Sequence, residues 1–563
     1  MASVPWWRDA VIYQVYLRSF ADGGGDGVGD LAGLRSKMDY LAELGIDALW
    51  LTPWYPSPMD DGGYDVADFR DIDPLFGTLA EAEELLKEAH AHGLRVLLDI
   101  VPNHTSDQHV WFQAALAAAP GTPERQRYMF HAGRGRRGDE PPNDWRSGFG
   151  DRAWTRTSQG DGKPGEWYLH LFAPQQPDLN WDNPEVRQEF ESILRFWFDR
   201  GVDGFRIDVA HGLVKAPGLP DVGIADGEFL RTSESPDHPH WHQEQVHEIY
   251  SAWRTIADAY AEPRIFVGEV WADRLSWLAE YVRPGRLHTA FNFDFLRAPW
   301  RARQLREVID ETIAEMSAVG APPTWVLSNH DVVRHASRYG RPQDDKPRKT
   351  RAELFAQPVD RSLGLRRARA AALLMLALPG GAYVYQGEEL GLPEVEDIPE
   401  EMLQDPVWRQ SGGEDRGRDG CRVPLPWSGQ APPFGFSPAD AKAPPWLPQP
   451  RDWKALSVEA QQSDPASTLR LYQDALRLRH ELPALGDGTL TWVASAADVL
   501  HFARAPGFAC VVNLSPSPIS LPPHRRVLLA STTLQDKRLP PDTAAWLETQ
   551  PLADTPVPCG SDD

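Results

Sequence analysis

Short apolar runs alternate with amphipathic segments along most of the chain, which predicts a parallel β-sheet with helices between its strands. Runs with the length and composition of buried strands cover residues 11–16, 46–51, 95–101, 204–207, 265–268, 288–291, 324–327 and 382–385. One helix is predicted through Leu34, Met38 and Leu41, and others over 79–92, 184–199 and 469–482. The helix over 79–92 starts with Thr78 and Glu81 at capping-box spacing.

Two long segments and the end of the chain break this rhythm. Residues 104–177 are rich in Gly, Arg, Asp and aromatic residues and are interpreted as a domain inserted after the third strand. Residues 392–453 are irregular, and their Pro-rich part, 431–450, is incompatible with regular helix or sheet. The last part of the chain contains short β-like runs that suggest an antiparallel β-sandwich; they cover 490–493, 499–503, 509–513 and 526–530. The predicted domains are a barrel over 1–103 and 178–483, the insertion 104–177, and a β domain over 484–563.

An acidic residue ends or closely follows each of four apolar runs. These residues are Asp99, Asp208, Glu269 and Asp331. If the eight strands close into a (β/α)8 TIM barrel, their carboxyl ends meet at one face, where barrel enzymes carry out their chemistry. Carboxyl groups that are far apart in sequence would then share one pocket. Two carboxyl groups that flank a bond are the standard machinery for cleaving a glycoside.

Composition narrows the range of partners. The chain has 563 residues, enough for several domains, and a formal net charge of −24, which argues against nucleic acid or an anionic membrane. Cys421, Cys510 and Cys559 form no CxxC pair, which argues against a metal cluster or a disulfide framework. The N-terminus lacks the features of a signal peptide and no run is long enough to span a membrane, so we expect a cytoplasmic enzyme. Nothing in the sequence indicates the oligomeric state.

Several short segments carry a resemblance to a known family. Asp99-Ile-Val-Pro-Asn-His104, Gly204-Phe-Arg-Ile-Asp208, Gly268-Glu-Val-Trp271 and Ser328-Asn-His-Asp331 match, in order, the four signature segments of the α-amylase superfamily of glycoside hydrolases. Supporting matches are Gly45-Ile-Asp-Ala-Leu-Trp-Leu-Thr-Pro53, Gln176-Pro-Asp-Leu-Asn180 and Gly381-Ala-Tyr-Val-Tyr-Gln-Gly-Glu388. The resemblance covers nearly the whole chain and implies the barrel, the inserted domain and the C-terminal β domain.

The resemblance also implies chemical roles. Asp208 is expected to be the nucleophile, held ionised by Arg206, which lies two residues earlier and therefore on the same face of its strand. Glu269 would be the acid, kept protonated by apolar neighbours such as Val270 and Trp271, and Asp331 would stabilise the transition state. A retaining enzyme is expected, with the two reacting carboxyl groups ~5–5.5 Å apart.

Further residues are expected to bind the glucosyl unit. His104 and His330 would donate to its hydroxyls, Tyr64 would be an aromatic platform, and Asp65 would pair with Arg422 to close the non-reducing end. The alternative for Arg422 is a surface loop arginine. Asp99 is expected to support the site through Arg206. The predicted substrate-binding set is Asp65, Tyr64, His104, Arg206, His330, Arg422, Phe172 and Val209.

The loop over 22–30 resembles the calcium loop of many α-glucosidases. Asp22, Asp26, Val28 and Asp30 would provide oxygen ligands for a structural Ca²⁺, and no organic cofactor is expected. Gly24 departs from the pattern, because those loops carry Asn or Asp there. The alternative is a flexible acidic turn.

The segments 22–30 and 176–180 resemble the branch that contains oligo-1,6-glucosidases and α-glucosidases, which release α-glucose from the non-reducing end of an oligosaccharide. In related enzymes, a valine directly after the nucleophile, as at Val209 here, correlates with α-1,6 preference. The continuation 210–212 instead resembles actinobacterial enzymes active on maltose, so α-1,4 is favoured. The alternatives are an oligo-1,6-glucosidase and a glucosyl-transferring relative such as trehalose synthase. Non-catalytic transporter subunits of the same fold have a membrane helix and lack the complete set of catalytic residues.

Overall fold

The computed structural model describes residues 5–149, 152–158, 162–223, 238–272, 274–344, 351–534 and 536–550. The strands are β1 (Val11–Val15), β2 (Ala48–Leu51), β3 (Arg95–Ile100), β4 (Phe130–His131), β5 (Trp154–Ser158), β6 (Pro164–Leu169), β7 (Gly204–Ile207), β8 (Ile265–Gly268), β9 (Thr289–Ala290), β10 (Thr324–Val326), β11 (Gly381–Tyr385), β12 (Thr491–Trp492), β13 (Val499–Arg504), β14 (Phe508–Asn513), β15 (Ile519–Ser520), β16 (Arg526–Ala530), β17 (Arg538–Leu539) and β18 (Thr543–Glu548). The helices are α1 (Leu31–Arg35), α2 (Met38–Leu44), α3 (Leu79–Ala91), α4 (Val110–Ala117), α5 (Pro123–Gln126), α6 (Pro184–Phe198), α7 (Val246–Ala257), α8 (Leu275–Tyr281), α9 (Phe293–Arg297), α10 (Ala302–Ala318), α11 (His335–Arg338), α12 (Arg351–Phe355), α13 (Arg361–Ala377), α14 (Pro406–Gln410), α15 (Val458–Gln462) and α16 (Thr468–Glu481).

The central sheet has eight parallel strands in the order β10-β11-β1-β2-β3-β7-β8-β9. The two outer strands come together where the Thr324 hydroxyl donates to the Ala290 carbonyl, so the sheet is nearly closed into a barrel. Every predicted strand of the barrel is present, and the predicted fold class is confirmed.

The barrel strands are buried on both faces, as parallel sheets are. On β1, Ile12 packs inside the barrel with residues such as Trp50 and Leu97, whereas Val11 and Tyr13 belong to the larger core beneath the helices. This alternation leaves each strand's carboxyl end free to present side chains at one rim.

Local sequence signals explain the helix boundaries. In α3, Thr78 Oγ1 accepts from the Glu81 amide and Glu81 Oε2 accepts from the Thr78 amide, as the capping-box spacing predicts. The single helix predicted through Leu34, Met38 and Leu41 is wrong, because the chain forms α1 and α2 with a turn at Ser36 and Lys37 between them. At this turn the Lys37 amide donates to the Leu34 carbonyl, three residues back, which ends the α-helical pattern.

Outside the barrel, β4, β6 and β5 form an antiparallel sheet within residues 130–169. The C-terminal part contains the antiparallel sheet β12-β13-β14-β18-β16 and the pair β15-β17, which confirms the predicted antiparallel structure there. Residues 431–450, all of them described, contain no helix or strand, as the proline content predicts. The predicted domain boundaries stay predictions, and residues 551–563 of the last one lie outside the described residues.

Cys421 and Cys510 are buried free thiols, and Cys559 lies outside the described residues. In the described ranges, the helices are too short or too polar to cross a membrane.

Candidate active site

The predicted catalytic residues come together in one cavity of about 1030 Å³. Asp208 follows β7, Glu269 follows β8, and Asp331 lies in the loop after β10. Because these strands are parallel members of one nearly closed sheet, their carboxyl ends open into the same space. Five predicted substrate-binding residues also line the cavity, namely Tyr64, His104, Phe172, Val209 and His330.

One arginine holds three carboxylates at the floor of this cavity. Arg206 Nη1 lies 2.7 Å from both Asp99 Oδ1 and Asp208 Oδ1, and Arg206 Nη2 lies 2.8 Å from Glu269 Oε2. The strand register explains the first contact, because Asp99 on β3 lies opposite Arg206 on β7. Arg206 is almost completely buried and lies beneath the cavity lining, so it contacts the carboxylates rather than the open cavity.

The surroundings of the acidic residues raise the pKa values of Asp208 and Asp99 and lower that of Asp331. Burial raises the pKa of Asp208, and the charges of Glu269 and Asp99 raise it further against the lowering effect of Arg206. Burial also raises the pKa of Asp99, to about 6, although Arg206 lowers it. For Asp331, burial is outweighed by His330, Arg418, Arg422 and Arg206, which hold the pKa of this carboxyl well below its ordinary value.

His104 and His330 both line the cavity, and the ring nitrogens of each are hydrogen-bonded within the protein. The Gln14 amide donates to Nδ1 of His330 over 2.6 Å, which leaves Nε2–H to donate to Asp331 Oδ2, 3.3 Å away. Tyr64 stacks on His330, with ring centroids 5.3 Å apart and planes 6° apart, and its hydroxyl donates to Asp99 Oδ2. Burial lowers the pKa of His104 to about 4 and that of His330 well below its ordinary value, so both rings are neutral near pH 7.

The predicted pair between Asp65 and Arg422 is wrong. Asp65 is fully buried, and its two oxygens accept from the amides of Asp60 and Asp61, so its side chain caps a turn. Arg422 donates instead to the His330 carbonyl and to Asp331 Oδ1, 2.9 Å away.

The ion pair at the cavity is formed by Asp61 and Arg418, with Oδ1 and Nη2 2.5 Å apart, and both residues line the cavity. Arg418 Nη1 also lies 3.2 Å from Asp331 Oδ1. Each residue of this pair lies four positions before the one predicted. A turn at Gly62 and Gly63, with φ values of 61° and 105°, lies between Asp61 and Asp65. This Gly-Gly pair is the sequence signal that the two aspartate side chains point in different directions.

Comparison with known proteins agrees with this geometry. The family described as "Alpha amylase, catalytic domain" matches residues 14–488. The chain belongs to the α-amylase superfamily of glycoside hydrolases. A "Probable alpha-glucosidase" of Rhizobium meliloti is 37% identical over 528 residues, covering 91% of this chain and 89% of the relative. An "Oligo-1,6-glucosidase" of Parageobacillus thermoglucosidasius is 34% identical, covering 86% of this chain and 85% of the relative.

Among solved structures, "alpha-glucosyl transfer enzyme, XgtA" superposes with a TM-score of 0.83 at 35% identity, covering 97% of this chain and 100% of the other. These relatives confirm the glucosidase branch of the superfamily and the assignment as a glycoside hydrolase.

Glu269 of this superfamily member has different neighbours from those expected. Its Oε2 accepts from Arg206 and from the Val209 amide, 3.0 Å away, and its Oε1 accepts from the Trp271 indole N–H, also 3.0 Å away. The expectation of an apolar environment formed by Val270 and Trp271 is therefore wrong. Val270 packs into the core, and Trp271 presents its polar edge to Glu269.

The loop predicted to bind calcium is organised by its own backbone. Asp22 accepts from the amides of Gly25 and Gly27, and Asp30 accepts from those of Gly23, Gly24 and Gly33. The described ranges contain no group of three or more His, Cys, Asp or Glu side chains placed to hold a metal ion. The carboxylates of the loop are engaged in hydrogen bonds with amides, so the fit to a calcium site is poor, and calcium binding stays a prediction.

The Pro-rich stretch covers this loop. The amides of Lys442 and Trp446 donate to the carbonyls of Gly25 and Gly27. A Cβ on Gly27, which has a φ of 90°, would lie 2.0 Å from the Pro444 carbonyl oxygen, so only glycine fits this approach. The irregular segment after the eighth strand is thus part of the packed structure.

Sequence reasoning missed several residues of the cavity wall. Asp61 and Arg418 are polar, whereas Phe149, Trp241 and Trp271 add aromatic surface. The sequence indicated Trp271 as an apolar neighbour of Glu269, which lies two residues before it, but carried no signal for the direction of its indole N–H. Phe149 and Trp241 lie in irregular segments with no periodic pattern, so the sequence carries no signal for their orientation.

Proposed function

We propose that the protein is a retaining, exo-acting α-glucosidase that releases α-glucose from maltose and short malto-oligosaccharides. The observation that carries this proposal is the shared guanidinium of Arg206, which holds Asp208 and Glu269 at the same point of the cavity floor. A retaining mechanism needs two carboxyl groups only ~5–5.5 Å apart. One guanidinium that binds both carboxylates supports such a short separation.

In this mechanism Asp208 attacks the anomeric carbon. Its Oδ1 is fixed by Arg206, so Oδ2 forms the bond to carbon while the bond to the leaving oxygen breaks. Glu269 gives its proton to that oxygen. A water molecule, deprotonated by Glu269, then attacks the same carbon, releases Asp208 and yields glucose with the original α configuration.

Asp331 assists by remaining negative throughout. Two arginines, Arg418 and Arg422, contact its Oδ1 at 3.2 and 2.9 Å, and they fix a full negative charge beside the developing oxocarbenium ion. Its interaction with the sugar is electrostatic and through hydroxyl groups, because Asp208 already supplies the nucleophile.

The exo-acting mode is supported by the Asp61–Arg418 ion pair on the cavity wall. Together with His104, it offers donors and acceptors for the hydroxyls of one terminal glucosyl unit. An ion pair on the cavity wall suits recognition of a chain end, whose terminal unit has hydroxyls that an internal unit lacks. The α-1,4 preference rests on the resemblance of residues 210–212, and the α-1,6 alternative rests on Val209.

Glucosyl transfer is a second candidate function. Val209, Phe172, Trp241 and Trp271 line the cavity together with Asp208 and Glu269 and give part of its wall an apolar surface. Such a surface favours a bound sugar or alcohol over water as acceptor of the glucosyl group. The structural relative described as an α-glucosyl transfer enzyme supports the same possibility.

Two variants and one product analysis test the proposal. Asp208→Asn should abolish turnover of every substrate. Glu269→Gln should lose activity on maltose, whose leaving oxygen needs a proton, and lose much less on 4-nitrophenyl α-glucoside, whose leaving group needs none. Equal losses on both substrates would contradict the role of Glu269.

Product analysis on maltose, isomaltose, sucrose and trehalose distinguishes the candidates. Glucose from maltose supports the proposed α-1,4 activity, and glucose mainly from isomaltose identifies an oligo-1,6-glucosidase. Trehalose or longer sugars made from maltose identify a transferring enzyme with the same catalytic residues.

A further inference from the structure

The two oxygens of the Glu269 carboxyl group have different environments. Oε2 accepts two hydrogen bonds, from Arg206 Nη2 at 2.8 Å and from the Val209 amide at 3.0 Å. Val209 adopts a φ of 46°, which is rare for a β-branched residue and points its N–H at Glu269. An oxygen that accepts from two donors cannot also carry the transferable proton, so that proton belongs to Oε1.

Oε1 has a single described donor, the indole N–H of Trp271 at 3.0 Å. Trp271 is itself rigidly held, because its ring stacks on Phe293 with centroids 3.7 Å apart and planes 9° apart, and the Arg297 guanidinium lies 4.6 Å from its centroid. A fixed indole fixes the direction in which Oε1 points.

The backbone of Trp271 is also tied down. His242 Nε2 lies 3.0 Å from the Trp271 carbonyl oxygen, and because a carbonyl only accepts, Nε2 carries the hydrogen. The other ring nitrogen, Nδ1, then accepts from the buried Tyr281 hydroxyl, also 3.0 Å away. Hydrogen bonds therefore run from Tyr281 through His242 and Trp271 to the carboxyl group of Glu269.

We propose that Trp271, anchored by His242, is a positioning residue that orients Oε1 of Glu269 toward the oxygen of the leaving group. The inference rests on the proposed role of Glu269 as the acid. Trp271 takes no part in proton transfer itself, since its indole N–H only donates to Oε1. Its contribution is geometric, and proton transfer is sensitive to misplacement by about 1 Å.

Trp271→Phe tests this most directly, because phenylalanine keeps an aromatic ring against Phe293 and removes the N–H. We expect kcat/KM for maltose to fall roughly 10–100-fold, within the ~10²–10⁴-fold that general acid catalysis supplies, and kcat/KM for 4-nitrophenyl α-glucoside to fall less than about threefold. The KM for maltose should change less than about twofold, because binding of the sugar is not altered.

Trp241→Phe is the matched control. Trp241 lines the same cavity, and its indole N–H has no hydrogen-bond partner among the described residues. Any loss in this variant should fall equally on both substrates. His242→Ala should reproduce the selective loss of activity on maltose seen in Trp271→Phe. His242→Gln keeps an N–H donor and should retain part of that activity. These two His242 variants provide the test if Trp271→Phe does not fold.

Glu269→Gln distinguishes a failure of the positioning role of Trp271 from a failure of the proposed role of Glu269. If Glu269→Gln is selective for the poor leaving group while Trp271→Phe reduces both substrates equally, the positioning role is refuted and the proposed function stands. If Glu269→Gln itself affects both substrates equally, the acid is another group and the inference fails with it.

Discussion

A buried glutamate next to the eighth barrel strand should make the stability of the protein depend on pH. Glu388 is almost fully buried, its Oε1 accepts from the Tyr385 amide at 3.1 Å, and its Oε2 lies 3.4 Å from the Tyr472 hydroxyl. Burial raises the pKa of Glu388 from 4.5 to about 8; the Tyr385 amide and Arg334 lower it, and the charge of Glu389 raises it. The group is therefore neutral in the folded protein near pH 7 and ionised in the unfolded chain.

The sign and size of this pH effect on the free energy of unfolding follow from the linkage between protonation and folding. Because the folded-state pKa lies above the unfolded value, the stability due to Glu388 is complete below pH 4.5 and is lost progressively up to about pH 8. At ~1.4 kcal/mol per pH unit, this interval corresponds to a loss on the order of 5 kcal/mol. With an unfolding entropy of ~2.1 cal/mol/K per residue, the 563 residues convert that loss into a Tm change of roughly 4 °C.

Glu388→Gln removes the titration and keeps the shape of the side chain. The amide oxygen can still accept from the Tyr385 amide, and the amide nitrogen can donate to the Tyr472 hydroxyl oxygen. Differential scanning calorimetry should give a variant Tm close to the parent at pH 5 and about 4 °C higher at pH 9. Glu401→Gln, at an exposed position, is the control and should show no such trend. A Tm difference that is the same at both pH values would refute the reasoning.

Three further predictions concern the cavity and the loop. Asp61→Asn breaks the ion pair with Arg418 and should raise the KM for maltose about 10–100-fold, since a hydrogen bond to a charged group is worth ~1.5–3 kcal/mol. Steady-state kinetics measure this KM, and an unchanged value would contradict the placement of the terminal glucose. If the loop containing Asp22 and Asp30 binds calcium, a chelator should lower the Tm more than the rate and added calcium should reverse the effect, whereas no thermal effect would leave the loop metal-free. Val209→Thr should shift the ratio of maltose to isomaltose hydrolysis toward maltose by roughly 5- to 150-fold, because a change from methyl to hydroxyl is worth ~1–3 kcal/mol. Product analysis that shows an unchanged ratio would contradict this role.

The barrel could be predicted because its strands are specified locally. Each strand is a short apolar run buried on both faces, and parallel topology then requires that Asp208 and Glu269 meet at one rim. The C-terminal sheet was less predictable. Its strand β18, between β14 and β16, has the sequence Thr-Ala-Ala-Trp-Leu-Glu, which contains no β-branched residue besides Thr543 and resembles a helix former. Its pairing partners, rather than its own propensity, make it a strand.

Side-chain direction in loops was not predictable. Asp61 and Asp65 differ in role because the turn at Gly62 and Gly63 directs one carboxylate to the cavity and folds the other onto backbone amides. The sequence shows two aspartates four positions apart and no periodicity that distinguishes them. The hydrogen bond from Trp271 to Glu269 depends in the same way on contacts with a distant segment, around His242.

The distribution of arginines explains how neighbouring carboxyl groups can serve different purposes. Near Asp331, Arg418 and Arg422 supply two positive charges at hydrogen-bond distance, so this residue remains ionised well into the acidic range. Arg206, in contrast, is shared by Asp99, Asp208 and Glu269, and one positive charge cannot balance three buried negative ones. Burial therefore raises the pKa of Asp99 to about 6 and raises the pKa of Asp208, although Arg206 lowers both. The ratio of arginines to carboxylates, more than the position of any single side chain, thus gives Asp208 and Asp331 opposite pKa shifts within one cavity.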